Sequence, residues 1–411
     1  MKTPCFIYSY LLLAVPMLGS LITIEPIIAQ SIKTNAKAQI NSWSAINFSN
    51  PVHSQLGARF IPEINLKYVD HKNENRSNSK NNFPEMKFSQ LENFDVQLSI
   101  NTTGNLNFEK FKSHGTYERF KPYRGWLRLS GSHFEVRLGL QKINFGSATL
   151  LRPLMWFDRI DPRDPLQITD GVYALLSRYY FQNNANIWLW GLYGNPNTKG
   201  WEILPSVKDE PEYGGRFQFP VLSGEAGLSF HHRRADFSDL FPNWYHSYKS
   251  VLKENKFGLD GKWDVGPGIW FEYVFKENNS SYLPSGFYQY EQALNVGADY
   301  TFLWGNGLHV MTEQFFLAQA DKVFQHEENA SISSVSLNYP IGLIDRISTI
   351  VYYSWEDESW YRFVNYERTY DNWRFYLMGF WNPKNFAIYN VGESQNIFAG
   401  RGLQMMAVYN F

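Results

Sequence analysis

Thiols are nearly missing from this sequence: 411 residues contain one cysteine, Cys5. It precedes the apolar stretch Ile7 to Ile24, which follows the charged Met1-Lys2 and runs into Ile27-Ile28-Ala29-Gln30-Ser31. That layout reads as a secretory signal over residues 1–30, removed near Ala29, and Cys5 leaves with it. Disulfides, cysteine metal sites and thiol catalysis are then excluded for the rest of the chain. Beyond Ile24 no apolar run approaches the roughly 20 residues that a membrane-crossing helix needs. Charge of one sign is also lacking: 38 Lys+Arg against 39 Asp+Glu leave a net charge of −1, so no nucleic-acid footprint is present. No Gly-x-Ser-x-Gly elbow, His-Glu-x-x-His pair or phosphate-binding glycine loop occurs. His231 and His232 are adjacent, so a strand would send them to opposite faces, and Asp70 to Asn75 lack the glycine and donor spacing of an EF-hand. No enzyme activity, cofactor or metal is expected.

What is present is aromatic: 18% of residues, combined with a mean hydropathy of −0.38. A barrel of strands reconciles the two, because it confines apolar residues to every second position while its average looks water-soluble. The period-two pattern is clearest in Phe134-Glu135-Val136-Arg137-Leu138-Gly139-Leu140-Gln141, where Phe134, Val136, Leu138 and Leu140 would face lipid and Glu135, Arg137 and Gln141 a wet interior. It recurs in Phe257 to Trp263, Ile269 to Lys276 and Leu294 to Tyr300. The last nine residues put Leu403, Met405, Ala407, Tyr409 and Phe411 on one face. This ending resembles the final strand of bacterial outer-membrane barrels, in which a terminal Phe is read by the assembly machinery.

Short turns at Thr102 to Asn105, Gly131 to His133, Asn183 to Asn186, Ser223-Gly224, Val265 to Gly268, Trp304 to Gly307, Pro340 to Ile344 and Asn382 to Asn385 mark a periplasmic side. Longer polar connections at Asp70 to Glu85, Gly146 to Gly171, Asn195 to Tyr213, Asp236 to Glu254 and Glu356 to Arg368 lie between them. The expected fold is all-β, a transmembrane up-and-down antiparallel barrel of about 18 strands over residues 56–411, with 16 strands as the alternative. Residues 31–55 read as a periplasmic leader or a short lumen segment.

A barrel this wide cannot be filled by its own side chains, so something must narrow it. The connection after Gly146 carries Met155-Trp156-Phe157 beside Asp158, Arg159, Asp161, Arg163 and Asp164. Folded inward, it would bury the apolar triplet and set those five charges across the passage; left outside, the charges would pair with one another. Arg128, Glu135, Arg137 and Arg178 are expected to line the lumen, as are Arg216 and Arg233 against Asp260, Glu272, Asp299 and Glu313. Trp126, Trp188, Trp190, Trp270, Trp355 and Trp381 read as girdle residues, with Trp188 or Trp190 open to a role as a carbohydrate slide. The run Arg137 to Gly146, followed by Trp156, Phe157-Asp158 and Asp161-Pro162, resembles large porin-like outer-membrane proteins related to the alginate-export group. That resemblance implies an eighteen-stranded barrel with an arginine-lined lumen constricted by inward loops; the mixed charges here depart from it.

The expected function is a porin-like channel of the bacterial (Gram-negative) outer membrane for passive diffusion of small hydrophilic or oligosaccharide solutes through a charged constriction. Its partners would be outer-membrane lipids, the barrel-assembly machinery and the solute, with a homotrimer or a monomer both open. One alternative is a blocked barrel that binds surface polysaccharide. Another, a lipid hydrolase, would need Ser229 and His231 on the lipid face, where Leu228 and Phe230 stand instead.

Overall fold

The structure, a computed structural model, describes residues 32–69, 93–238, 251–280, 283, 286–323, 325, 327–384 and 398–411. The expected signal over residues 1–30 and the connection Asp70 to Glu85 lie outside them, as does most of the stretch from Asp236 to Glu254. The named elements are eighteen strands. They are β1 (Ile32–Asn47), β2 (His53–Val69), β3 (Asn93–Glu109), β4 (Lys112–Ser130), β5 (Phe134–Gln141), β6 (Val172–Tyr180), β7 (Asn186–Leu192), β8 (Glu212–Val221) and β9 (Gly224–Asp236). The second half comprises β10 (Val251–Asp264), β11 (Gly268–Asn279), β12 (Tyr290–Phe302), β13 (Leu308–Ala320), β14 (Glu328–Pro340), β15 (Asp345–Ser354), β16 (Ser359–Thr369), β17 (Trp373–Trp381) and β18 (Arg401–Asn410).

Each strand pairs antiparallel with its neighbours in sequence, and β1 pairs with β18 from Gln39↔Asn410 to Asn47↔Gly402, closing the sheet into a barrel. Closure matters because an open sheet edge in hydrocarbon would leave a row of backbone polar groups without partners. Alternation then sorts the side chains. On β18, Leu403, Met405 and Phe411 are 43%, 61% and 63% exposed on the outer wall, while Gln404, Met406 and Val408 are buried inside. On β5, Leu138 faces out and Glu135 faces in.

Residues 32–47 correct the expectation of a leader or lumen segment: they form the first wall strand, hydrogen-bonded to both β2 and β18. Their alternation is real but disguised. The positions paired with the outward residues Leu403, Met405 and Ala407 are Ile46, Ser44 and Ser42, so small hydroxyl residues occupy sites where larger apolar ones would announce a strand. Three further boundaries move. Thr102 to Asn105 lie within β3, Glu356 to Arg368 are a short turn followed by β16, and Asn382 opens the long connection to β18. Six of the expected short turns, from Gly131 to Ile344, do lie at the barrel end where β1 begins and β18 stops, and the long connections 142–171 and 193–211 lie at the other.

Candidate functional site

The connection between β5 and β6, residues 142–171, folds into the barrel. Met155, Trp156 and Phe157 are only 3%, 3% and 4% exposed, and Trp156 and Phe157 pack with Phe145 of the same loop and with Trp190 and Leu176 of the inner wall. Phe157 stands 4.9 Å from the His231 ring and 5.4 Å from Trp190, whose indole Nε1 donates to His231 Nδ1 at 3.2 Å. Gly258, inward on β10, makes room for this seat, since a Cβ there would come within 2.5 Å of Leu154.

Two buried carboxylates hold the backbone of this loop. Glu272 on β11 accepts from Ala148 N (2.8 Å) and Leu154 N (3.0 Å). Glu313 on β13 accepts from Thr149 N, Leu150 N and Leu151 N at 2.6, 3.1 and 2.7 Å, and Asn295 bridges Glu313 to Leu151 O. Five amide donors that a water-excluded loop would otherwise leave unsatisfied are thereby met. Farther round the wall, Leu150 and Leu151 pack against Tyr352, Tyr361, Phe363 and Phe380 of β15–β17.

The connection 193–211 sits over the first loop and is locked to it. Arg159 donates to Gly200 O (3.0 Å) and Thr198 Oγ1 (2.6 Å), and Trp201 Nε1 donates to Arg152 O (2.7 Å). Gly200 adopts φ +46°, and a Cβ there would overlap Met155 O, so only glycine permits this approach. Lys199 reaches Glu212 (2.8 Å) and Glu202 (3.3 Å), while Arg233 forks onto Glu254 (2.6 and 2.9 Å). Glu202, Glu212 and His231 bring ligand-type atoms within 4.8 Å of one another, the one such group among the described residues. Lys199, Arg233 and Lys256 already contact Glu202, so cations of the chain neutralise this cluster and it does not fit a metal. His232 points outward, away from His231, and bonds Asn255.

The five residues expected across the passage divide by burial. Asp158, 2% exposed, pairs with Arg152 at 3.5 Å, and burial pushes its carboxyl above the ordinary aspartate range despite that arginine. Arg163 is buried on Asp161 (2.6 Å) with its guanidinium over the Phe363 ring. Asp164 accepts from Leu166 N and Ile168 N at 3.0 and 3.3 Å, and burial raises it too. Arg159 serves the second loop, as above. These side chains are fasteners of the loop, because a charge so enclosed is held by its partner and not by solvent water.

Arg128, Glu135, Arg137 and Arg178 all face inward and meet near the terminal end of the barrel. Glu135 lies 3.0 Å from Arg137, 3.6 Å from Arg128 and 3.7 Å from Arg178. Arg137 stacks on Trp126 at 4.5 Å and Arg178 on Trp188 at 3.7 Å, so those indoles carry guanidiniums. Trp126, Trp188, Trp190 and Trp270 thus face inward and are not girdle residues; Trp355 and Trp381 face out. Trp190 is buried beneath the loop, which removes it as a carbohydrate slide.

Inward groups of β8–β13 such as Arg216, Asp260, Glu272 and Glu313 are buried under the loops, Arg216 gripping Asp260 at 2.5 and 2.8 Å. On β1–β4 the inward face is mixed: Asn41, Asp95, Ser99, Asn101 and Arg124 are buried, while a basic strip stays open. Arg59, Arg119 and Lys121 stand there beside Asn105, Asn107 and Gln97. Facing them is the returning edge of the loop: Asp170 pairs with Lys121, Thr169 O accepts from Arg124 (3.0 Å), and Arg59 lies in the field of Asp164 and Asp170. Sequence reading missed this basic strip, although Arg119-Phe120-Lys121 carries the period-two signal, because the turn it expected at Thr102 to Asn105 lies inside β3 and hid the pairing of β3 with β4.

No protein-family model matches the sequence, nor does any curated protein sequence. Solved structures do match in fold. OccAB4 of Acinetobacter baumannii shares 7% identity at a TM-score of 0.54, over 93% of this chain and 99% of that one. OccK5 of Pseudomonas aeruginosa shares 10% at 0.50 over 92% and 98%, and OccK7 of the same organism 8% at 0.50 over 92% and 99%. At such identities the likeness establishes the architecture, a closed porin-like barrel of antiparallel strands.

Proposed function

We propose that this chain is a passive channel of the bacterial outer membrane, through which small hydrophilic solutes, oligosaccharides included, diffuse along the wall of β1–β4. The supporting observation is the asymmetry of the lumen. Loops bury the inner faces of β8–β13 and β15–β17, and a polar strip carrying Arg59, Arg119 and Lys121 is left facing the loop edge at Asp170. Opposed rows of fixed charge set a transverse field that orders water and sorts solutes by charge and dipole. Diffusion of this kind needs no cofactor and no energy input. Lipid hydrolysis has no support in the wall: Ser229 is buried and accepts from Arg216, with Leu228 outward.

Purified protein in planar bilayers should give discrete ohmic steps. An electrically silent barrel that nevertheless binds surface polysaccharide would replace this reading with the plugged alternative.

A further inference from the structure

On the outer wall, at the end opposite the termini, the register sets Arg362, Trp381 and Arg401 in one row across β16, β17 and β18. The next outward row toward the barrel's middle is Val364, Gly379 and Leu403, so both guanidiniums border the apolar belt. Arg362 leans toward the rim, its guanidinium carbon 5.5 Å from the ring of Trp360. This is the posture of a side chain that buries its stem and lifts its charge to the membrane surface. Trp360 continues into Tyr353 (4.7 Å) and Trp355 (5.0 Å beyond), and Trp355 Nε1 donates to Ser333 Oγ.

Arginines on the inner wall, such as Arg128, Arg216 and Arg233, are paired with carboxylates. Among the described residues Arg362 and Arg401 contact no acid. A guanidinium at the edge of hydrocarbon is costly unless an anion meets it, and phosphate accepts its fork of donors two at a time. The two strands are two positions apart in the sheet, placing the arginines roughly 10 Å from each other, a span that one headgroup can bridge. We propose that this row binds the phosphate of an anionic lipid in the adjoining leaflet, with Trp381 packed on the lipid between the two arginines. The row lies on the outer wall, apart from the passage.

The test reconstitutes full-length protein in mixed phosphatidylglycerol and phosphatidylcholine micelles and counts retained lipid by native mass spectrometry. The protein should retain phosphatidylglycerol selectively. An Arg362→Gln/Arg401→Gln double variant should lose that retention roughly tenfold or more, since a charged hydrogen bond is worth at least that factor. Lys253→Gln, outward on a distant strand, should change nothing, and heat-modified gel mobility should show every variant folded. Should the double variant misfold, high salt applied to the unaltered protein must strip the same lipid. Equal retention by the variant would overturn the assignment. So would displacement by millimolar inorganic phosphate as readily as by lipid, or cross-linking that finds a second copy over Trp381.

Discussion

Glu313 does at one residue what a helix or strand does over many: it satisfies consecutive backbone donors, here Thr149, Leu150 and Leu151, the last two buried. Truncating it to alanine strands three amides and should weaken seating of the loop by on the order of 3 kcal/mol or more. The expected readout is a noisier, larger single-channel conductance with the barrel still folded by heat-modified mobility. Glu313→Gln keeps acceptor oxygen without the charge and should lie between. Trp156→Ala tests the apolar half of the same seat. It removes a buried indole that contacts Phe145 at 5.4 Å, a loss of roughly 3–5 kcal/mol for a core aromatic, and limited proteolysis between residues 146 and 165 should rise accordingly. If both variants conduct like the parent, the loop does not set the width of the path.

At the scale of elements, the proposed channel would be narrowed by the loop 142–171, so replacing residues 147–165 by a short flexible link should raise conductance severalfold while leaving eighteen strands paired. A variant with unchanged conductance would place the constriction elsewhere. Much of this element was readable beforehand. Met155-Trp156-Phe157 in a stretch of charges argues for an inward fold on chemistry alone, since a triplet of large apolar side chains gains from leaving water. What alternation cannot reveal is which wall the loop meets. Glu272 and Glu313 look like any inward carboxylates in sequence, and their role depends on amides some 120 to 160 positions away. Asp158 and Arg163 likewise read as passage charges until burial shows them paired. The wall strands were legible where large apolar residues mark the lipid face, as in β5, and illegible in β1, where Ser42 and Ser44 stand on that face.

For the whole molecule the passage and the closure are linked, because β1, which closes the barrel against β18, also pairs with β2, where the basic strip begins. Deleting residues 32–47 would leave seventeen strands with β2 and β18 as open edges, and the chain should then fail to give the compact heat-modifiable form at all. A gentler test leaves closure intact and alters only the field. Arg59, Arg119 and Lys121 face the passage from β2 and β4, and Asp170 opposes them from the loop. Changing the three basic residues to glutamine removes three positive charges from one side of the lumen while keeping polar, somewhat shorter side chains. In a salt gradient across a planar bilayer, the reversal potential of this variant should move toward cation preference relative to the unaltered protein, and the shift should shrink as salt rises and the Debye length falls below the width of the path. Asp170→Asn should move it the opposite way. A reversal potential indifferent to all four positions, with conductance preserved, would mean that ions travel along some other wall.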